Sequence, residues 1–215
     1  MWFMVQGKSA PERKNNFSKH FNDNRSIKVG LMGGSFNPVH NGHLFVAKTA
    51  LKKLNLDELW WLISPQNPLK VSNGLKPIND RIKLTKNIAR DPNFKVLSLE
   101  KYFKTSTTID FLRKLLPRCP NMRFIWVMGS DNLLEFHKWK KPNEIVKLLP
   151  IAVFSRPNYS YKSLNSKGSR ILGKRISSEK IINLIFHKPP IWGYIDEGRY
   201  TISSTKIRDL ENSIM

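Results

Sequence analysis

The sequence predicts an α/β fold built on a largely parallel sheet, and three observations predict it. Six short runs rich in β-branched and aromatic residues recur along the chain, helical patterns separate them, and a glycine-rich turn joins the first run directly to the first helix. With 215 residues, 40% of them hydrophobic and 25% charged, the chain is sized for one substantial core, and its composition is that of a folded protein.

Taken in order, the chain opens with an apolar stretch from Met1 to Val5, which is too short for the apolar part of a secretory signal. Gly7 to Ser26 is polar, charged and aperiodic, so residues 1–26 read as an extension and residues 27–215 as the domain. Strands are predicted at Ile27 to Phe36, Leu59 to Ser64, Phe94 to Leu99, Met122 to Met128, Ile151 to Phe154 and Ile191 to Ile195. Helices are predicted at Gly42 to Leu54, Asn79 to Ala89, Thr108 to Leu116, Pro142 to Leu149 and Ser203 to about Asn212. Asn158 to Lys174, rich in Ser and Lys and containing Gly168 and Gly173, reads as a long loop. In a parallel sheet of this kind the ligand lies beyond the carboxyl ends of the strands, near the point where strand order reverses.

The formal charge of +21 arises from 37 Lys and Arg against 16 Asp and Glu. These residues are scattered through the chain, as a compositional bias of the coding genome would scatter them. Phosphate-bearing ligands are the next reading, and a dedicated nucleic-acid surface is the last. Cys119 stands alone, so neither an internal disulfide nor a Cys-rich zinc site can form, which fits a reducing cytoplasm. No run of 18 apolar residues occurs, and the expectation is a cytoplasmic protein without a membrane partner.

The most informative stretch is Gly33-Gly34-Ser35-Phe36-Asn37-Pro38-Val39-His40-Asn41-Gly42-His43. Paired glycines let the backbone approach a ligand, Pro38 sets the turn, and the helix start offers free N–H groups to a phosphate. His40 and His43, three residues apart, can both aim at one phosphoryl group and donate hydrogen bonds to it as charge shifts in the transition state. The bland alternatives are an ordinary turn and two histidines acting as caps or metal ligands. At the other end of the chain, Ile202-Ser203-Ser204-Thr205-Lys206-Ile207-Arg208 marks another helix start. Ser204, Thr205 and Arg208 there suit a second anion site, although a well-capped helix would look the same.

These two stretches resemble the signatures of a nucleotidyltransferase superfamily: a Gly-x-Phe-Asx-Pro turn followed by a His-x-Gly-His pattern, and a C-terminal run that binds the ATP triphosphate. Gly33 to His43 is most similar to the nicotinate-nucleotide adenylyltransferase branch, because the pantetheine-phosphate adenylyltransferases and cytidylyltransferases usually carry Thr where this chain has His40. The resemblance implies a Rossmann-like nucleotidyltransferase fold and transfer of AMP from ATP to nicotinate mononucleotide, giving deamido-NAD and pyrophosphate. It implies that Gly33, Gly34, Ser35, Phe36, His40, His43, Gly129, Asp131, Ile202, Ser204, Thr205 and Arg208 contact ATP, with His40 and His43 acting in catalysis. Lys70, Thr108, Trp139 and Arg156 would bind the acceptor, Trp139 lying against the pyridine ring. Mg²⁺ would be held by substrate phosphates and water, since few carboxylates lie in the motifs. Three positions depart from the family pattern: Asn37 stands where Asp is more usual, Leu69 interrupts a Pro-His-Lys type of loop, and Asn158 replaces a common Gly. The rival readings are a sibling transferase using nicotinamide mononucleotide or pantetheine phosphate, and a basic RNA-binding module without catalysis. The second is disfavoured because interleaved basic and aromatic RNA signatures are not visible.

Overall fold

The computed structural model describes residues 26–65, 74–156 and 159–196. The predicted extension, the Ser203 helix, and the residues Lys70, Asn158, Ile202, Ser204, Thr205 and Arg208 lie outside them. Seven strands form one sheet: β1 (Lys28–Gly34), β2 (Glu58–Ile63), β3 (Phe94–Leu97), β4 (Arg123–Gly129), β5 (Ile151–Phe154), β6 (Lys174–Arg175) and β7 (Ile191–Ile195). Their spatial order is β3-β2-β1-β4-β5-β7-β6, and every pairing is parallel. The sheet is thus wholly parallel, one step beyond the largely parallel expectation. It is covered on both faces, which is why its strands read as continuous apolar runs.

Chain order runs outward from β1 to β3, then returns to β4 on the other side of β1. The reversal falls between β1 and β4, whose carboxyl ends carry Gly33-Gly34 and Gly129. Alternation sorts the side chains into two layers. Val29, Leu31, Phe124, Trp126 and Met128 face one cluster, and Met32, Ile125 and Val127 face the other.

Helix α1 (Asn41–Lys53) packs Val46, Ala47 and Ala50 into the second layer, and α2 (Ile78–Ile88) follows β2. Helical elements beyond those predicted include α3 (Leu99–Phe103), α5 (Ser130–Glu135) and a 3₁₀ segment at Ser178–Phe186. Leu99, expected to end a strand, begins α3. Helices α4 (Thr108–Leu115) and α6 (Pro142–Leu148) fall where the sequence placed them, within one residue at their C-termini.

The main correction concerns Asn158 to Lys174. Instead of a loop, this stretch holds α7 (Ser160–Leu164) and α8 (Lys167–Ile171), and its last residue opens β6. Two of its serines, Ser166 and Ser169, act as a cap and a packing group. Ser166 Oγ accepts from the Ser169 amide at 3.2 Å, while Ser169 Oγ donates to the carbonyls of Leu164 and Ser166 at 2.7 and 2.8 Å. Composition that favours turns also suits very short helices, whose ends make up most of their length.

Candidate active site

The turn after β1 is shaped by its own residues. Gly34 lies so close to the Phe36 ring that a Cβ would meet it at 3.2 Å, and Phe36 itself adopts a φ of 47° while buried in the second layer. Asn37 turns inward, donating from Nδ2 to the Gly74 carbonyl at 3.0 Å and accepting at Oδ1 from the Lys76 amide at 3.2 Å. The departure from Asp at this position therefore has a local use, because a carboxylate could not donate to Gly74.

His40 is the N-cap of α1, with extended backbone, and its Nδ1 accepts from the Gly42 amide at 3.1 Å. His43 Nδ1 accepts in return from the His40 amide at 3.3 Å. This is a capping box built from two imidazoles. Both Nδ1 atoms act as acceptors, so in the neutral rings each proton sits on Nε2. The rings lie 3.8 Å apart between centroids, and the Phe36 ring meets His43 edge-on at 5.0 Å. His40 Nε2 is buried and has no hydrogen-bond partner among the described residues.

Burial first, and the nearby Arg156 guanidinium second, hold the His40 pKa down at about 4 against the opposing pull of Asp131. His40 is therefore neutral at physiological pH. The linkage sign follows: an ordinary pKa of 6.5 in the unfolded chain and about 4 in the folded one means that the unfolded state binds the extra proton between those limits. The stability contribution is complete above pH 6.5 and is lost as pH falls through 4. Urea unfolding across this window should show His40→Asn, which keeps a capping acceptor, losing up to about 1.4 kcal/mol per pH unit of the wild-type slope, the value of one proton. Equal slopes would refute the buried neutral imidazole.

Three strand ends converge here. Gly129 closes β4 so tightly that a Cβ would collide with the Asp131 carboxylate and the Arg156 guanidinium. Asp131, at the start of α5, pairs with Arg156 Nε at 3.3 Å, and Ser130 Oγ accepts from the Arg156 amide at 2.9 Å. Arg156 and Asp131, expected on different substrates, are thus joined in one ion pair beside His40.

Trp139 follows the 3₁₀ turn Phe136–Lys138 and is half-buried, its ring 5.2 Å from Phe136 and 6.1 Å from Trp126. Trp126 extends over Gly33, where a Cβ would stand 3.0 Å from the indole. Thr108 is the first residue of α4, but the capping is done by Thr107, whose Oγ1 accepts from the Asp110 amide at 3.4 Å and donates to Asp110 Oδ2 at 2.7 Å. Lys140 Nζ reaches the same carboxylate at 3.0 Å. Thr107 and, second, Lys140 hold the Asp110 carboxyl below its ordinary pKa by hydrogen bonding.

Among the described residues no group of three or more His, Cys, Asp and Glu side chains could hold a metal ion, and no helix is long and apolar enough to cross a membrane. One residue of evident importance was not singled out from the sequence. Arg81 reads there as one more surface charge, yet it is 1% exposed.

An all-parallel sheet with a phosphate-suited turn at its switch point defines a nucleotide-binding α/β protein. A model of the cytidylyltransferase-like family matches residues 31–210, and the chain belongs to that family of nucleotidyltransferases. The "Probable nicotinate-nucleotide adenylyltransferase" of Rhizobium johnstonii is 43% identical over 186 residues, covering 86% of this chain and 94% of its own. The protein of the same description from Brucella abortus is 40% identical over 186 residues, covering 86% and 96%. Among solved structures, Plasmodium falciparum nicotinic acid mononucleotide adenylyltransferase complexed with NaAD superposes with a TM-score of 0.64 at 19% identity, covering 85% of this chain and 83% of that one. At that identity the likeness supports the fold.

Proposed function

We propose that this enzyme transfers the adenylyl group of ATP to nicotinate mononucleotide, forming deamido-NAD and releasing pyrophosphate. The observation that carries the chemistry is the reciprocal histidine cap, which fixes both imidazoles as Nε2–H donors beside the glycine turn at the switch point. The names of the relatives, at 40–43% identity over 86% of the chain, support the acceptor.

An oxygen of the acceptor phosphate attacks the α-phosphorus of ATP in line, the bond to the bridging oxygen breaks, and pyrophosphate leaves with the electron pair. No protein nucleophile is needed, because positioning and charge neutralisation carry such transfers. His40 and His43 donate to the phosphates while the α1 N-terminus adds its dipole. Gly33, Gly34, Ser35 and Phe36 form the cradle, Gly129 and Asp131 lie on the nucleoside side, and the motif resemblance assigns the triphosphate to the C-terminal Ile202, Ser204, Thr205 and Arg208, which lie outside the described residues. The Asp131 ion pair keeps Arg156 in place for the acceptor, with Lys70 and Thr108 completing that pocket. A divalent ion fits the donor set if the triphosphate and water carry it, since the nearest motif carboxylate, Asp131, is engaged by Arg156. Magnesium bound in this way would neutralise charge on the phosphates. The enzyme would work in the cytoplasm.

Trp139 offers one half-buried aromatic face beside Trp126, suited to stacking on a pyridine ring. Trp139→Ala should raise the Michaelis constant for the acceptor about tenfold and leave that for ATP nearly unchanged, as loss of a stacking contact worth roughly 1–3 kcal/mol implies. Equal effects on both substrates would remove Trp139 from the acceptor pocket. Pyrophosphate release with nicotinate mononucleotide, nicotinamide mononucleotide and pantetheine phosphate tests the assignment. Preferred turnover of the first is expected, and turnover of pantetheine phosphate alone would overthrow it.

A further inference from the structure

Arg81 sits in the first turn of α2 with its guanidinium buried under the carboxyl ends of β1 and β2. Its Nη1 donates to the carbonyls of Ser35 and Ser64, both at 2.7 Å. Nη2 donates to the Pro65 carbonyl at 2.8 Å, and Nε to the Lys76 carbonyl at 2.9 Å. Burial alone accounts for the lowering of its pKa, with no contribution from a neighbouring charge. A buried cation whose partners among the described residues are all main-chain carbonyls is an expensive arrangement to retain for packing alone.

The four carbonyls are informative in their origins. Ser35 belongs to the glycine turn, whereas Ser64 and Pro65 precede, and Lys76 follows, the segment 66–73 that contains Lys70. Asn37 duplicates the link by binding Gly74 and Lys76 from the turn itself. The turn after β1 is therefore tied to Ser64 and Pro65 on one side and to Lys76 on the other by one planar side chain. A lysine could not reproduce this, because its single nitrogen cannot span four carbonyls lying in different directions.

We infer that Arg81 is a positioning residue that holds the ATP turn in register with Ser64, Pro65 and Lys76, so that one guanidinium keeps the phosphate turn aligned for transfer to the acceptor. This rests on the proposed adenylyl transfer for the identity of the substrates, but not for the link between the segments.

The test pairs Arg81→Lys with Gly193→Ala, which strains a site under Ile181 and Leu184 remote from the turn and serves as a control of lowered stability. In Arg81→Lys, turnover should fall about a hundredfold, the order expected when reacting groups are misplaced by about an ångström, and the acceptor Michaelis constant should rise. Amide hydrogen exchange should accelerate in residues 34–40 and 74–78 while β5 and β7 stay protected. Gly193→Ala should lose melting temperature and keep both kinetic constants. If Arg81→Lys does not fold, Arg81→Gln takes its place, and native-state exchange on the wild type needs no variant: the two segments should open together with a common protection.

Independent opening of the segments in the wild type would overturn the inference. So would uniform acceleration of exchange across the whole sheet in the variant, or unchanged kinetics in a folded variant. An inactive wild type with local, coupled exchange would instead sink the proposed reaction and leave the link standing.

Discussion

His43→Ala should lower the turnover number by about two to three orders of magnitude, the range observed when one preorganised transition-state donor is removed, while the domain stays folded. The half-buried His43 ring lies against His40, and its Nδ1 accepts from the His40 amide, which places the ring proton on Nε2, the donor proposed for substrate. Alanine removes that donor together with half of the capping box, so about 1 kcal/mol of stability should go as well. His43→Asn separates the two effects, since a side-chain oxygen can still cap the helix. Steady-state kinetics on protein verified by circular dichroism provide the check, and near-normal turnover of a folded His43→Ala protein would end the role assigned to this residue. His40→Ala should behave similarly, and the double variant should fall short of additivity if both rings serve one phosphate.

Gly168→Ala destabilises the domain by about 3 kcal/mol, at the upper end of the cost of overpacking. A Cβ at Gly168 would overlap the main-chain carbonyl oxygen of Leu133 and press on Phe136, so relief requires two backbones to separate and cannot come from a rotamer change. The contact joins α8 to α5 and to the turn leading to Trp139, and activity should therefore weaken alongside stability. Urea unfolding measures the effect; a loss below about 1 kcal/mol would show that the α5–α8 contact yields freely.

What the sequence reveals and conceals follows from the range of the interactions. The turn from Gly33 to His43 was legible because its chemistry is local: glycines, proline and two histidines state their geometry within eleven residues. The long strands were legible because burial on both faces writes unbroken apolar runs. Helices α3 and α5 were not, since five or six residues are too few to show a helical period, and β6, with two cationic residues, has no apolar pattern at all. Arg81 was hidden for a different reason. Its partners are carbonyl oxygens between 5 and 46 residues away, and a carbonyl leaves no trace in residue identity. The Asp131–Arg156 pair was half legible: both residues belong to motifs, but their pairing needs β4 and β5 to be adjacent.

The outermost strand has a consequence for how the protein behaves in concentrated solution. A parallel sheet has two free margins, and a margin with unsatisfied backbone groups is a template on which another chain can add a strand. Here, among the described residues, the strand beyond β7 is only two residues long, Lys174 and Arg175, both exposed, and the Arg175 guanidinium stands over the rings of Trp192 and Tyr194 at 5.7 and 5.9 Å. Any approaching strand would find few amides to pair with and a positive charge on each residue, on a chain whose formal charge is already +21. Brevity and repulsion at β6 together disfavour strand addition there, next to the aromatic side chains of β7.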